Sequence, residues 1–335
     1  MLKAYLEWPL QIEQAIANWG SYTLNAEFDE VVVIGMGGSG IVGDYLNSLS
    51  VDSCRIPIHA LKSYLIPSFV GERSLVVAVS YSGDTIETLL AFKKAIERRA
   101  KIVAVSSGGK LKEMALKYNV LYIPLPSGLL PRASLPIMLY TALGLLDSSG
   151  HTIVSKNTAL ESLAFLRGSL PVALQISTKI AQWINESVVV GRRLLVIASH
   201  TPLEALAIRG KNELNENSKL IAKVDVAPEW MHNDIVGYES SFPLELSVIE
   251  VVDPDNSIGR KLVEFMENVY LNSGARLFRL DLKGRNTLEK IMFGSIIWGL
   301  ASVSLAELRG LDPLSTKSIQ MYKERAHEIY SESSL

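Results

Sequence analysis

Hydroxyl-bearing side chains are concentrated in one short segment, residues 80–85, with the sequence SYSGDT. Ser80, Ser82 and Thr85 follow the β-branched run VVAV and precede an apolar helical pattern, so they stand where a strand is expected to turn into a helix. Capping a helix takes one hydroxyl or carboxylate, whereas this segment offers four such side chains in six residues. Neutral hydroxyls beside the free N–H groups of a helix start are suited to bind a phosphate monoester.

A second anion-binding pattern lies upstream, where the run VVVI leads into GMGGSG, residues 35–40. The glycines match G-x-G-x-x-G, but a dinucleotide site also needs a carboxylate about 20 residues further on. That region, IPIHALKSY, contains none, which argues against NAD. No Lys-Ser/Thr pair follows the glycines, which argues against a P-loop. A turn that serves packing alone is the remaining structural alternative for this loop.

The elements that must position these loops follow an α/β rhythm of β-branched runs and longer helical patterns, which predicts parallel sheets wrapped by helices. Turn composition in DSSGHT, residues 147–152, predicts a boundary between domains 1–150 and 151–335. The predicted strands lie near 30–35, 56–60, 74–80, 101–106, 120–124, 187–198, 222–227, 244–252 and 276–281. The predicted helices lie near 5–18, 39–49, 84–98, 109–117, 133–147, 202–218, 287–309 and 313–328, with a capping box of Thr201, Pro202 and Glu204 on the helix from 202.

The composition excludes several function classes. Lys plus Arg is 33 against 35 for Asp plus Glu, so no basic excess favours nucleic acid. Cys54 stands alone, which leaves neither a disulfide framework nor a cysteine-rich zinc site. The N-terminal segment is amphipathic and acidic, unlike a signal peptide, and no apolar run is expected to reach transmembrane length. We therefore expect a cytoplasmic protein that contacts neither membrane nor nucleic acid.

The segments GMGGSG and SYSGDTIET resemble the sugar isomerase (SIS) domain family, which binds sugar phosphates. PRASLP, residues 131–136, and KNELNENSK, residues 211–219, are similar to the archaeal bifunctional phosphoglucose/phosphomannose isomerases. This resemblance covers nearly the whole chain and implies two doubly wound parallel-sheet SIS domains in tandem. It also implies that the phosphate of the substrate is bound by Gly38, Ser39, Ser80, Ser82 and Thr85.

A carboxylate is the expected proton carrier, because burial and neighbours can tune its pKa toward neutrality. On residues alone, Glu216 suits a solvated glutamate paired with Lys219 at i+3. Asparagines at 212, 215 and 217 weaken that interpretation, because asparagine is a poor interior helix former and such a face suggests a polar contact. The family resemblance implies that Glu216 is the catalytic base, and Glu213 is the alternative register.

Opening of the sugar ring calls for a group that donates and accepts protons near neutral pH, which favours a histidine. His232 lies sixteen residues after Glu216, and the resemblance implies that it takes this role from the partner chain of a homodimer. Glu229 and Asp234 lie near His232, but their spacing fits no common metal motif. We expect neither a metal nor any other cofactor.

Two cations complete the set that the resemblance implies. Lys317 corresponds to the C-terminal lysine that contacts ring or hydroxyl oxygens, although a surface lysine has the same sequence signature. Arg132 is expected to open the last helix of the first domain, where a cation is unfavourable for the helix dipole. That cost suggests another purpose, and the family role is to stabilise an enediolate, an extended anion that a guanidinium suits.

The resulting expectation is an aldose–ketose isomerase that interconverts glucose 6-phosphate and mannose 6-phosphate with fructose 6-phosphate. An isomerase for another sugar phosphate and a non-catalytic sugar-phosphate sensor are the alternatives. A sensor has no need for Glu216, His232, Lys317 and Arg132 together. Gly310, seven residues before Lys317, is expected both to end a helix and to leave the space that dual specificity needs.

Overall fold

A computed structural model describes residues 1–240 and 245–330 of the chain. It contains two compact units. The first-sheet unit comprises Leu6–Ala164 and the C-terminal residues from Thr316, and the second-sheet unit comprises Met1–Tyr5 and Phe165–Ser315. These limits differ from the division after residue 150, which stays a prediction, and residues 241–244 and 331–335 of the predicted second domain lie outside the described residues.

The first-sheet unit is built on a parallel sheet with the strand order β2-β1-β3-β4-β5 among the described residues. Its strands are β1 Glu30–Ile34, β2 Ile58–Leu61, β3 Ser74–Val79, β4 Lys101–Ser106 and β5 Leu121–Pro124. The sequence of β3, SLVVAV, is buried throughout, as expected for a strand covered on both faces. One face is covered by apolar side chains of α4 Ile86–Glu97 and α5 Gly109–Lys117.

The second-sheet unit contains another parallel sheet, with the order β7-β6-β8-β9. Its described strands are β6 Leu194–His200, β7 Ala222–Ala227, β8 Leu246–Val252 and β9 Arg276–Asp281. Met266 and Tyr270 of α9 Ser257–Asn272 pack on one face. Both sheets therefore have the doubly wound α/β architecture that the sequence predicts, and each reverses its strand order once.

The remaining helices connect and cover these strands. They are α1 Leu2–Leu6, α2 Trp8–Ala17, α3 Gly37–Ser50, α6 Leu135–Ser148, α7 Lys156–Ile184, α8 Glu204–Ser218, α10 Thr287–Leu308 and α11 Lys317–Ile329. Short 3₁₀ turns cover Pro131–Ala133, Glu229–His232 and Asp234–Tyr238, and a π-helical turn covers Asn185–Val190.

Several predicted boundaries are wrong. The β-branched residues from 187 continue α7 as a π-helical turn, and β6 starts only at Leu194, because tertiary burial of Val188 overrides its strand preference. The capping box at α8 does not form: Leu203 is the N-cap and no side chain caps the helix. Thr201 instead extends the pairing with β7, since its backbone N–H donates to the carbonyl oxygen of Ala227 at 3.0 Å and its Oγ1 donates to the same oxygen at 3.3 Å.

The expectation that no apolar run reaches transmembrane length is wrong for helix α10. By length and composition it passes the test for a membrane-spanning helix, yet 83% of its apolar window is buried inside the protein. It packs against α8 so closely that a Cβ on Gly210 would lie 2.5 Å from the Trp298 ring. Its apolarity is therefore that of a core helix.

Candidate active site

The two loops with anion-binding sequences meet at the carboxyl edge of the first sheet, where β1 and β3 lie side by side. The Ser39 hydroxyl joins them, because it accepts a hydrogen bond from the backbone N–H of Tyr81 at 3.1 Å. The same hydroxyl donates to the sulfur of Met138, a weak acceptor, with an Oγ–S distance of 3.5 Å. An anionic oxygen would be a stronger acceptor for that same proton.

The hydroxyls of residues 80–85 lie around the start of α4. The Oγ atoms of Ser80 and Thr85 are 3.1 Å apart, and Ser80 Oγ accepts from the backbone N–H of Gly83. Thr85 is the N-cap residue of α4, but its side chain makes no capping hydrogen bond. Ser82 and Thr85 are partly exposed. The segment thus does not serve as an ordinary cap, and the positive end of α4 faces the hydroxyl groups.

Two glycines allow the close packing of these loops. Gly83 has a φ of +78°, and a Cβ there would lie 1.9 Å from the carbonyl oxygen of Gly108. A Cβ on Gly38 would lie 3.1 Å from the Cα of Arg132. The first turn of α3 therefore lies against the backbone of Arg132, which brings this arginine to the crevice.

Contrary to the expectation from the sequence, Arg132 does not open an α-helix. It lies in the 3₁₀ turn Pro131–Ala133, and α6 begins only at Leu135. The side chain is partly buried. The structure thus gathers Gly38, Ser39, Ser80, Ser82, Thr85 and the backbone of Arg132 in one unit.

Glu213 and Glu216 have different surroundings on α8. Glu213 is 2% exposed and ion-paired to the buried Arg209. It also accepts hydrogen bonds from the Tyr5 hydroxyl and, at 2.8 Å, from the amide of Asn217. Burial, followed by the charge of Glu213, raises the pKa of Tyr5 well above its usual value. Glu213 therefore belongs to a structural network, and Glu216 one turn on is partly exposed.

The segment around Glu216 is fixed from both sides. Asn217 is fully buried and donates to Ser302 of α10 at 2.9 Å. Lys219 ends α8 in the left-handed conformation, with its ammonium within 3.2 Å of the carbonyl oxygens of Glu216, Asn217 and Asp312. The Glu216 backbone is accordingly held in place by the buried contacts of Asn217 and by the exposed ammonium of Lys219.

His232 is exposed at the end of the 3₁₀ turn Glu229–His232. Trp230, two residues before it, is 1% exposed and packs on the aromatic rings of Tyr238 and Tyr270. On the other side, Asp234 is paired with Lys223 of β7 at 2.8 Å. The histidine is thus presented to solvent by a turn that is anchored on both sides.

Lys317 is exposed and begins α11. This helix packs on α4, since Ala326 lies in a cluster with Ile86 and Leu90. The hydroxyl of Tyr322 also donates to the carboxylate of Glu87, which lies in the first turn of α4. The helix that carries Lys317 is therefore attached to the helix that follows the hydroxyl segment.

Over residues 1–240 and 245–330, no group of three or more His, Cys, Asp or Glu side chains is arranged to hold a metal ion. Sequence reasoning missed the contacts that hold the site in place, such as those of Gln11, Glu87 and Tyr322. For Gln11 a signal existed, because it is a polar residue within the apolar stripe of α2.

Comparisons with known proteins identify the family of the chain. Residues 175–326 match a family model described as the bacterial phospho-glucose isomerase C-terminal SIS domain. The bifunctional phosphoglucose/phosphomannose isomerase of Aeropyrum pernix is 32% identical, covering 97% of this chain and 97% of its own length. The enzyme of the same name from Caldicellulosiruptor bescii is 31% identical over 98% of this chain and 99% of its own. The chain belongs to the bifunctional phosphoglucose/phosphomannose isomerase family.

One similar protein is named for a different activity. A D-glucosamine-6-phosphate 4-epimerase from Sulfolobus acidocaldarius is 30% identical over 98% of this chain and 99% of its own. Among solved structures, the C-terminal domain of a glucosamine-fructose-6-phosphate aminotransferase from Francisella tularensis superposes with a TM-score of 0.74 at 16% identity, covering 93% of this chain and 97% of its own. The latter likeness shows the SIS fold alone.

Proposed function

We propose that this protein interconverts glucose 6-phosphate and mannose 6-phosphate with fructose 6-phosphate. The observation that carries the proposal is the division of labour on α8. Glu213 is bound within a buried network, while Glu216, which matches the family's catalytic glutamate, is partly exposed on a turn whose backbone is hydrogen-bonded. A binding protein without chemistry would not need a partly exposed carboxylate on a turn whose backbone is fixed in this way.

In this proposal the phosphate binds at Gly38, Ser39, Ser80, Ser82 and Thr85. These residues offer hydroxyl donors and the N-terminal ends of α3 and α4, neither of which is capped by a side chain. Anions are stabilised at helix N-termini by the free N–H groups and the helix dipole. A neutral cradle of this kind anchors the phosphate without a metal.

The remaining roles follow the chemistry of aldose–ketose isomerisation. His232 opens the ring, and Glu216 moves a proton between C1 and C2. Arg132 stabilises the cis-enediolate, whose delocalised negative charge matches a guanidinium, and Lys317 binds ring or hydroxyl oxygens. Because the enediolate has lost the stereocentre at C2, one base can serve both aldoses.

We also propose that the protein is a cytoplasmic homodimer in which His232 acts in the site of the partner chain. The exposed position of His232 supports this assignment, as does the neighbouring apolar side chain of Val236, which is 56% exposed. Gly310 has a φ of +63° and lies just past α10. Among the described residues, no atom outside Gly310 and its two chain neighbours lies within 4 Å of a Cβ built there. It thus terminates the helix and leaves open space, in line with dual specificity.

Replacement of Glu216 with glutamine tests the proposal. Glu216→Gln keeps the shape and removes the base, so kcat for both aldoses should fall by about 100-fold or more, while binding of a hexose 6-phosphate persists. The matched control is Glu204→Gln, which alters an exposed glutamate in the first turn of the same helix. Coupled assays with each aldose provide the measurement. Near-normal turnover of Glu216→Gln would contradict the role of this residue.

The same assays separate the alternatives. Values of kcat/KM for the two aldoses within about tenfold of each other are expected, because the two share one enediolate. Epimerisation of glucosamine 6-phosphate at C4 without any ketose product would instead favour the activity named for the Sulfolobus acidocaldarius relative. Binding of hexose phosphates without turnover would favour the sensor.

A further inference from the structure

The carbonyl oxygen of Ala133, the residue after Arg132, accepts two side-chain hydrogen bonds. The indole Nε1 of Trp8 and the amide Nε2 of Gln11 both donate to it, each at 2.9 Å. Both donors come from α2, one helical turn apart, and both side chains are buried, with Trp8 at 0% and Gln11 at 5% exposure. Two buried side chains of one helix thus hold a single peptide group.

Gln11 lies in the apolar stripe of α2, between Trp8, Ile12 and Ala15, which are all buried. Burial of an amide costs free energy unless its polar atoms are hydrogen-bonded. Within the described residues, Gln11 Oε1 has no hydrogen-bond partner, so the amide is retained there at some cost to stability. The hydrogen bond to Ala133 is the contact that the buried amide makes in return for this cost.

The other side of the same turn faces the crevice. The backbone of Arg132 lies against Gly38, where even a Cβ would approach the Arg132 Cα to 3.1 Å and the Pro131 carbonyl oxygen to 3.3 Å. Within the turn, the Ser134 hydroxyl donates to the carbonyl oxygen of Leu130 at 2.7 Å. The Ala133–Ser134 peptide is therefore held by α2, and the Cα of Arg132 lies against α3.

We propose that Trp8 and Gln11 are positioning residues for Arg132, an inference that rests on the proposed role of this arginine in the isomerase reaction. The two donors fix the Ala133–Ser134 peptide, one residue beyond Arg132. Together with the contact of the Arg132 Cα with Gly38, they restrict the direction in which the Arg132 side chain leaves the turn. A guanidinium stabilises a developing charge well only if it is preorganised, since small displacements weaken the interaction with the transition state. Loss of the Trp8 or Gln11 hydrogen bond should therefore lower kcat more than it changes KM.

The test replaces Gln11 with methionine, which has a similar shape and volume but no N–H donor. In Gln11→Met, kcat with fructose 6-phosphate should fall about threefold to tenfold, as expected for the loss of one hydrogen bond that orients a catalytic group, while KM changes less than about twofold. The matched control is Gln14→Met, the same substitution at an exposed position of α2, which should leave both constants unchanged. Trp8→Phe removes the other donor while retaining an aromatic ring, and should act in the same direction.

A double-mutant cycle distinguishes positioning from a general loss of stability. If Gln11 acts through Arg132, Gln11→Met should have almost no effect on kcat in an Arg132→Ala background. Affinity for arabinonate 5-phosphate, whose planar carboxylate resembles the enediolate, should fall in Gln11→Met, whereas affinity for inorganic phosphate should not. Unchanged kcat in both Gln11→Met and Trp8→Phe would overturn the proposal, as would equal effects with and without Arg132. A wild-type protein without isomerase activity would instead overturn the proposed function, which the first assay shows before any variant is made.

Discussion

In the first sheet the crevice between β1 and β3 is bordered by glycines and hydroxyls, whereas the crevice between β6 and β8 in the second sheet is filled by charged side chains. Ligands of open α/β sheets bind outside the carboxyl ends of the strands where the strand order reverses. Both sheets have such a point, since their orders are β2-β1-β3-β4-β5 and β7-β6-β8-β9. The topology is shared, so the side chains decide which crevice can bind an anion.

The second crevice is occupied by its own contacts. His200 ends β6 and is fully buried, and its Nε2 accepts from the backbone N–H of Asp253 at 3.1 Å. Lys290 is buried between the carboxylates of Asp253 and Asp255, at 2.7 Å from each. The N-terminus of α9 is capped by Asn256, whose Oδ1 accepts from Gly259.

In the first crevice, by contrast, neither α3 nor α4 is capped by a side chain. The N–H groups at the start of α4 are therefore open to a ligand, whereas those of α9 are bound by its own asparagine. Helix α8 also lacks a side-chain cap, so the second crevice differs mainly through the contacts of His200 and Lys290. Sheet topology thus creates two equivalent places for a phosphate, and the ion pairs of Lys290, together with the cap of α9, close one of them. We expect one hexose-phosphate site per chain.

The largest effect is expected from breaking the second crevice. Lys290→Met removes the cation between two carboxylates, and Asp253 is largely shielded from water. Loss of one partner of a buried ion pair leaves an uncompensated charge, so the free energy of unfolding should fall by about 3 kcal/mol. Urea unfolding measures this loss, and Lys283→Met, at an exposed position before α10, is the matched control.

The same variant tests whether the second crevice binds substrate. Because Lys290 neutralises its own acidic neighbours, KM for hexose 6-phosphates should stay unchanged in the folded Lys290→Met protein. A large increase in KM would mean that this lysine binds a phosphate and that the two crevices are functionally alike.

The next effect concerns the open crevice. Ser80→Ala combined with Ser82→Ala removes two hydroxyl donors, and each hydrogen bond to a charged group contributes about 1.5 kcal/mol or more. KM should therefore rise by about 100-fold, with a smaller change in kcat. Thr201→Ala, which removes a hydroxyl at the second crevice, is the control and should leave KM unaltered. Equal activity of the wild type on free glucose and on its 6-phosphate would contradict phosphate anchoring altogether.

The sequence predicts only part of the difference between the two crevices. Most strand and helix positions follow from periodicity, and the glycine and hydroxyl segments predict a phosphate site, because these residue types act locally on the backbone. The closed crevice depends on Lys290 and Asp253, which are 37 residues apart, and no local pattern predicts that they meet. The same holds for Gln11 and Ala133, which are separated by 122 residues.

Errors in the predicted elements have similar causes. The single helix expected over 5–18 is divided after Leu6, with Pro9 in the first turn of α2, where a proline is tolerated. The helix expected from 313 begins at Lys317. The sequence patterns predict neither α7 nor α9, and the predicted strand over 187–198 begins too early, since β-branched residues at the end of a long helix resemble the start of a strand.

The two sheets also differ in their interiors, and this difference supports the last prediction. In the first sheet the paired residues Ile34, Ala78 and Ala104 are apolar. In the second sheet the corresponding pairing runs from Asp225 through Ala198 to Glu250 and then Arg279, so two carboxylates are buried within it. Asp225 is satisfied by the Tyr270 hydroxyl at 2.8 Å.

Glu250 is the less well satisfied of these two acids. Burial first, and then the charge of Glu267, raise the pKa of Glu250 to about 7. A carboxyl group whose pKa is higher in the folded than in the unfolded protein contributes stability below the unfolded pKa, and this contribution is lost as pH rises through the folded pKa. Between pH 5 and pH 8 the wild type should therefore lose about 2 kcal/mol of unfolding free energy through this group.

Glu250→Gln should remove that dependence, because the amide does not titrate. Urea unfolding of both proteins at pH 5, 6, 7 and 8 gives the difference at each pH, from which groups that titrate in both, such as His200, cancel. Glu264→Gln, an exposed change on α9, is the control. We expect Glu250→Gln to gain stability relative to the wild type as pH rises, with most of the gain between pH 5 and 7. A constant difference in unfolding free energy between the two proteins across this range would mean that Glu250 is ionised throughout. The interior of the second sheet would then tolerate its charge.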